Sequence, residues 1–339
     1  MSDSMMNQST AHTRDERGEW TPDVPVPISP LNHWPPRPIA LARWLGAYPG
    51  YIWPSNLLCL LVTMAVWLWA TPDLASMKTF ETWWVAVLFV RNLGLFLFMF
   101  GGLHLLLYVY KQQGDDLRFT LKPFAKNNAR FKFRNQLYDN VFRTLAYALP
   151  IFTALEAVSY WGFANGHFGF VPFGDDMLAF WTWTIVMAFS VPLIHSVHFY
   201  LIHRLLHVRF LYKTVHVYHH HNIEVSPWSG LAMHPLEILL YFSSVALQWL
   251  LALHPFNALL QLTLAAYYAA LAHSGFDKVQ LGPVKIDAGS FYHYLHHKHF
   301  ECNYGGSVIA MDNWFGSMHN GTDEARAKIR ERARAMRAN

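Results

Sequence analysis

The run IWPSNLLCLLVTMAVWLWA, from about Tyr51 to Ala70, has the length and apolar character that a helix needs to cross a bilayer, about 20 residues. Similar runs extend from about Trp83 to Tyr110, Val141 to Phe163 and Met177 to Ile202. A last one, Leu236 to Phe276, is too long for one crossing. Its His254-Pro255 step is expected as the turn of a hairpin, since proline removes a helix donor and restricts the residue before it. Trp and Tyr crowd the ends of these runs, where an apolar body with a polar tip suits the interface. Charged residues make up 14% of the chain, against about 25% in an ordinary soluble domain. The expectation is an all-α integral membrane protein with about six transmembrane helices. A formal charge of +4 is too small to suggest nucleic acid as a partner.

Lys and Arg in the short loops orient such a chain. The loop KQQGDDLRFTLKPFAKNNARFKFRNQ carries seven basic residues, whereas the loop from Gly162 to Asp176 carries none. Arg204, Arg209 and Lys213 flank a histidine-rich stretch, and the tail EARAKIRERARAMRAN is basic. Placing all basic segments on one side puts both termini and both histidine-rich segments on the cytoplasmic face. Residues 1–40, polar and Pro-rich, are expected as a loosely ordered arm without the apolar core of a secretory signal. Residues 41–325 read as a single membrane domain and 326–339 as a basic tail. Cys59 and Cys302 are far apart and no CxxC occurs, which argues against a disulfide scaffold, an iron–sulfur cluster or a cysteine zinc site. Arg91 and Glu156 fall deep in the second and third runs, and are expected to pair with each other.

The stretch HRLLHVRFLYKTVHVYHHH, His203 to His221, holds six histidines. His203 and His207 stand four apart and share a helix face, about 40° apart in rotation. His216, His219 and His220 stand at i, i+3 and i+4, and FYHYLHHKHF repeats that pattern with His293, His296 and His297. On a strand, i and i+3 would point to opposite sides, so the spacing makes chemical sense on helices. With 20 histidines in 339 residues, one HxxHH arises by chance at about 2×10⁻⁴ per starting position. Two copies and an HxxxH, all just outside apolar runs, exceed that expectation. Neutral imidazole binds zinc, copper, iron and nickel, and eight rings are more than one metal takes, so the count suggests a two-metal centre. His273 would return to the same rim at the end of the last run. His12, His33 and His167 are expected at the surface or interface. His104 and His195 read as hydrogen-bonded core residues, His198 as a residue lining the approach to the metals, and His221 and His299 as solvated neighbours.

In this order, HRLLHVRFLYKTVHVYHH, HPLE (His234 to Glu237), HSGFD (His273 to Asp277) and HYLHHKHFECNYG resemble the fatty acid hydroxylase and sterol desaturase superfamily. The likeness is nearest to its 4-methylsterol monooxygenase branch. MDNWFGSMHNGT, Met311 to Thr322, is similar to the family's closing segment, and the whole resemblance covers roughly residues 190–322. It implies a helical membrane domain whose cytoplasmic cap holds a di-iron centre. It also implies His203, His207, His216, His219, His220, His273, His293, His296 and His297 as the ligands. Some relatives have a further histidine four residues after the position of His273. Asp277 stands there, and either it binds iron or a water fills the place. Ser196 occupies the position of an Asp that many relatives have seven residues before the first motif histidine. His234 and Glu237 are expected as supporting residues.

The implied reaction is hydroxylation of a sterol, fatty acyl or aminolipid, consuming dioxygen and external electrons. The chain shows no GxGxxG after a strand and no haem or iron–sulfur motif. The electrons are therefore expected from a separate NAD(P)H-linked carrier, a cytochrome b-type protein or a ferredoxin with its reductase. Desaturation on the same centre is the alternative within the family. A histidine-rich metal transporter is the alternative outside it, and would place ligands along a path within the spans. A zinc hydrolase is disfavoured by the lack of HExxH.

Overall fold

Alanine-rich sequence and a proline in the first turn account for the helix at the centre of the fold, Pro255–Ala272. The His254 ring accepts a hydrogen bond from the Phe256 amide at 3.2 Å, and Pro255 stands where a helix needs no amide hydrogen. Of its 18 residues, 16 are buried, so this helix forms the core and does not face lipid. Small side chains allow close approach. The turn Pro227–Leu231 lies so near that a Cβ on Gly230 would come within 2.2 Å of the Ala269 carbonyl oxygen. Three polar side chains bridge inside: Asn257 donates to the Thr184 carbonyl at 3.0 Å, and Gln261 donates to Ser244 and accepts from Gln248, each at 3.1 Å.

The computed structural model describes residues 14–16, 18–169 and 176–338. Among them, four helices are long and apolar enough to cross a membrane: Ile52–Ala70, Thr82–Val109, Gln136–Ala164 and Met177–Leu206. The first, third and fourth pack on the central helix, and the second packs on the third. Their outer faces expose Leu61, Leu68, Val90, Phe98, Leu178 and Ile185, a surface suited to hydrocarbon. Between the second and third spans, Arg91 and Glu156 form the expected ion pair. Asn92 donates to the other Glu156 oxygen at 2.7 Å, and Arg91 to Thr71 at 3.0 Å, so each charge is both paired and hydrogen-bonded.

The last apolar run forms the expected hairpin. Its first arm is broken at Ser243 and Ser244 into Pro235–Phe242 and Val245–Leu251, and the central helix is its second arm. The tip meets the elements around the third loop: Gly169 donates its amide to Trp249 at 3.0 Å, and the Trp183 indole donates to Leu251 at 2.6 Å.

An all-α chain is corrected at one place. Lys278–Leu281 and Val284–Asp287 pair antiparallel, with Val279 opposite Ile286. Gly282 at φ +59° opens the two-residue turn, which needs a left-handed residue that glycine adopts freely. The described part of the N-terminal arm lies on the loops near the C-terminus. Val26 donates its amide to Asn320 at 2.8 Å, and the Ser29 hydroxyl donates to Val308 at 2.6 Å. The chain closes with the helix Asp323–Ala338.

Candidate metal centre

Four elements end at one place. His203 lies in the last turn of the fourth span and His207 follows it. A short helix, residues 209–220, carries His216, His219 and His220. His273 caps the C-terminal end of the central helix. The helix Ser290–His299, nearly all buried, brings His293, His296 and His297.

The nine rings fall into two groups. His203, His207, His216, His220 and His296 form one, and His219, His273, His293 and His297 the other; within each, the nearest ring nitrogens lie within 4.8 Å of one another. Helix geometry dictates the split. Residues four apart share a face, so His216 and His220 go to one group and His293 and His297 to the other. Adjacent residues differ by about 100°, so the His219-His220 and His296-His297 pairs each send one ring to each group and join the two.

The chemistry of the donors points to cations between them. The Nδ1–H groups of His203, His296 and His273 donate to the carbonyls of Tyr304 at 2.7 Å, Cys302 at 2.6 Å and Ala269 at 2.9 Å. A carbonyl can only accept, so in the neutral rings each Nε2 is a bare lone pair. Yet His273 Nε2 faces the Nε2 atoms of His293 at 3.0 Å, His297 at 3.1 Å and His219 at 3.2 Å. In the other group His203 Nε2 stands 3.1 Å from His216, and His220 stands 3.0 Å from His216 and 3.1 Å from His296. One proton cannot satisfy three facing nitrogens. Donors each about 2.1 Å from a shared metal would stand about 3.0–3.4 Å apart, depending on the angle. The residues therefore fit metal ions at two points. Burial, then the neighbouring imidazoles, pushes His216, His219, His220, His293, His296 and His297 well below the ordinary histidine range, which keeps the lone pairs free.

Supporting contacts lie behind the rings. Glu237 Oε1 stands 2.6 Å from His216 Nδ1, on the side of the ring away from the cluster. His234 caps the helix Pro235–Phe242, accepting from the Leu236 amide at 3.2 Å, and so fixes the turn that carries Glu237. Asp277 belongs to neither group; its backbone joins Leu117 and Ala288. Ser196 accepts from the Ile309 amide at 3.3 Å. The reading from spacing missed Asp312, a buried carboxylate that accepts from the amides of Tyr304 at 3.0 Å and Gly305 at 2.7 Å and from the Ser317 hydroxyl at 2.6 Å. Asp312 thus holds the segment whose Tyr304 and Cys302 carbonyls orient His203 and His296.

A cavity of about 390 Å³ opens beside the rings. Phe199, Ile202, Leu206, Met233 and Tyr241 give it an apolar wall, and it reaches His203 and His216 of one group and His219, His273 and His293 of the other. His198 is not on this wall: its Nε2 meets the Ser243 hydroxyl at 3.0 Å. His195, expected as a hydrogen-bonded core residue, does line it, and its Nδ1 has no partner among the described residues. His104 stacks on Tyr108, His167 lies against Trp161 and His221 against Phe131, and His299 stacks on His319. His33 is half-buried near the arm's first turn, and His12 lies outside the described residues.

A sequence model of the fatty acid hydroxylase family matches residues 188–317. The chain is 28% identical over 202 residues to a Delta(7)-sterol 5(6)-desaturase of Gibberella zeae, covering 59% of this chain and 61% of that protein. It is 30% identical over 187 residues to a Delta(7)-sterol-C5(6)-desaturase of Nicotiana tabacum, covering 54% and 67%. It is 27% identical over 149 residues to methylsterol monooxygenase 1 of Danio rerio, covering 43% and 51%. The matched part spans 61%, 56% and 61% of the length of three of the sterol desaturases it resembles. No solved structure matches the chain.

Proposed function

The chain belongs to the fatty acid hydroxylase family, and from that premise we propose a membrane di-iron oxygenase that hydroxylates a lipid of the sterol, fatty acyl or aminolipid class. The observation that carries this reading is the apolar cavity that touches both histidine groups. His203, His207, His216, His220 and His296 would hold one iron, and His219, His273, His293 and His297 the other. Reduced iron at these points supplies dioxygen activation, and the balance is one C–H bond, dioxygen, two electrons and two protons giving C–OH and water. The rest is done by the chain. Phe199, Ile202, Leu206 and Tyr241 exclude water and hold the lipid beside the rings. Glu237 and the carbonyls of Tyr304, Cys302 and Ala269 keep the His216, His203, His296 and His273 rings, respectively, in one tautomer and orientation.

Electrons come, in this reading, from a separate NAD(P)H-linked protein of cytochrome b or ferredoxin type. The last hairpin crosses the bilayer beside the four long spans, which makes six; support lies in its length and in the contacts of its tip with Gly169 and Trp183. The termini and the rings lie on the cytoplasmic side, as the basic loop after the second span favours. A metal transporter is not favoured, because the rings converge in two groups and do not follow a path through the spans.

Lipid mass spectrometry of host cells carrying wild-type protein or His296→Ala tests the reading. A lipid with one extra oxygen, present only with wild type, is expected. A lipid lacking two hydrogens would assign the desaturation named for the Gibberella and Nicotiana relatives. Identical lipids, with both proteins present and dioxygen supplied, would refute an oxygenase.

A further inference from the structure

Along the fourth span, His195, Phe199 and His203 stand at i, i+4 and i+8 and form one strip of the cavity wall. His195 lies about 12 Å along the helix axis from His203. The Phe199 ring stands between them, its centroid 5.9 Å from His195 and 5.0 Å from His203. His195 is 4% exposed and its Nδ1 has no partner among the described residues, an uncommon state for a buried polar atom. Its neighbours do not relieve it. Tyr241 and Tyr268 present ring edges or faces to His195 at 5.7 and 5.5 Å between centroids. Their hydroxyls donate elsewhere, to the Ala265 carbonyl at 2.7 Å and to Asn56 at 2.6 Å. The wall therefore has an apolar box with one imidazole in it whose hydrogen bonding is incomplete.

We infer that His195 recognises the polar end of the lipid: the cavity selects a molecule with an apolar body and one hydroxyl, and that oxygen bonds to the imidazole while the body extends past Phe199 toward the histidine groups. This deepens the oxygenase reading and rests on it only for treating the cavity as the place of the substrate. A neutral imidazole offers one donor and one acceptor, which matches a hydroxyl, itself both donor and acceptor. A hydrocarbon of the same shape leaves the ring unpaired, and sites built to bond a hydroxyl discriminate against such analogues.

Binding to the purified protein in detergent micelles tests the inference without turnover. Dehydroergosterol fluorescence reports occupancy, and two pairs compete with it: cholesterol against cholest-5-ene, and 1-octadecanol against octadecane. The wild-type protein is expected to favour the alcohol about tenfold in at least one pair. The pair that discriminates tells whether the hydroxyl comes from a ring or a chain lipid. His195→Phe is expected to bind alcohol and hydrocarbon alike, with hydrocarbon affinity retained, and His195→Asn to recover part of the preference. Equal wild-type affinities in both pairs overturn the proposal whatever the variants do, as does binding of neither alcohol, or a preference that survives in His195→Phe. These results read binding alone, whereas the oxygenase reading stands or falls on the oxygenated lipid.

Discussion

Glu237 sets a carboxylate against His216 Nδ1 inside the protein, where neither side chain reaches water. The contact fixes which face of the ring looks toward the cluster, and contacts of this kind support metal affinity by about 10–100-fold. Glu237→Ala is expected to lower iron affinity by about that factor in a metal titration followed by elemental analysis. Glu237→Gln, which keeps an acceptor oxygen and loses the charge, is expected to fall between; unchanged iron in the alanine variant would deny Glu237 this role. Arg91 and Glu156 make a different case, because neither lines the cavity beside the rings and neither belongs to the two histidine groups. Removing one partner strands a buried charge at a cost of about 3–5 kcal/mol, whereas replacing both with apolar residues is often nearly neutral. Glu156→Ala is therefore expected to melt well below wild type in detergent, and the Arg91→Met, Glu156→Met double variant close to it. A double variant no better than the single would show that the pair does more than balance charge.

At the scale of elements, three helices and one helix end set the rings, and the loop after the last of those helices sets their tilt. That loop, residues 300–305, turns through left-handed backbone at Phe300 and Asn303 and presents two carbonyls to the rings. Asp312 anchors it through two amides. Asp312→Ala is expected to free the Tyr304 carbonyl and disturb His203 while leaving His219, His273, His293 and His297 in place. Iron per chain should drop from two toward one, measured by elemental analysis against protein mass; two irons retained would rule the anchor out. Here the limits of sequence reading become physical. Helical spacing makes the convergence of the rings legible, since i, i+3 and i+4 can mean only one face. The acceptors behind the rings are backbone carbonyls, which every residue has, so no residue type marks them. The hairpin at Lys278–Asp287 carried a signal in its Gly282-Pro283 step, but four-residue strands are short enough to be lost among helices. His195 shows the opposite limit: an imidazole in an apolar run reads the same whether its neighbours bond it or leave it open.

Across the whole molecule, the arrangement places all nine clustered rings at the end of the spans where Leu206 and Ala272 finish, and the hairpin tip at the other end with Gly169. The third span starts at the ring end, where Gln136 and Asn140 in its first turns both donate to Asn222, at 3.0 and 2.9 Å, so the loop that leads into it lies at that end. That geometry ties sidedness to a single choice: if the basic loop is cytoplasmic, the rings and the helix Asp323–Ala338 are too. The two native cysteines, Cys59 and Cys302, are buried, so they leave a quiet background for labelling with an impermeant maleimide. Ala129→Cys in the basic loop and Lys328→Cys in the last helix stand at exposed positions near the ring end, and Lys78→Cys stands exposed between the first and second spans. In intact cells only Lys78→Cys is expected to react, and in inverted vesicles only the other two. Reaction of Ala129→Cys and Lys328→Cys from outside would reverse the orientation and keep the fold. Opposite sidedness for those two would break the even number of crossings and, with it, the proposed placement of the rings on the cytoplasmic side.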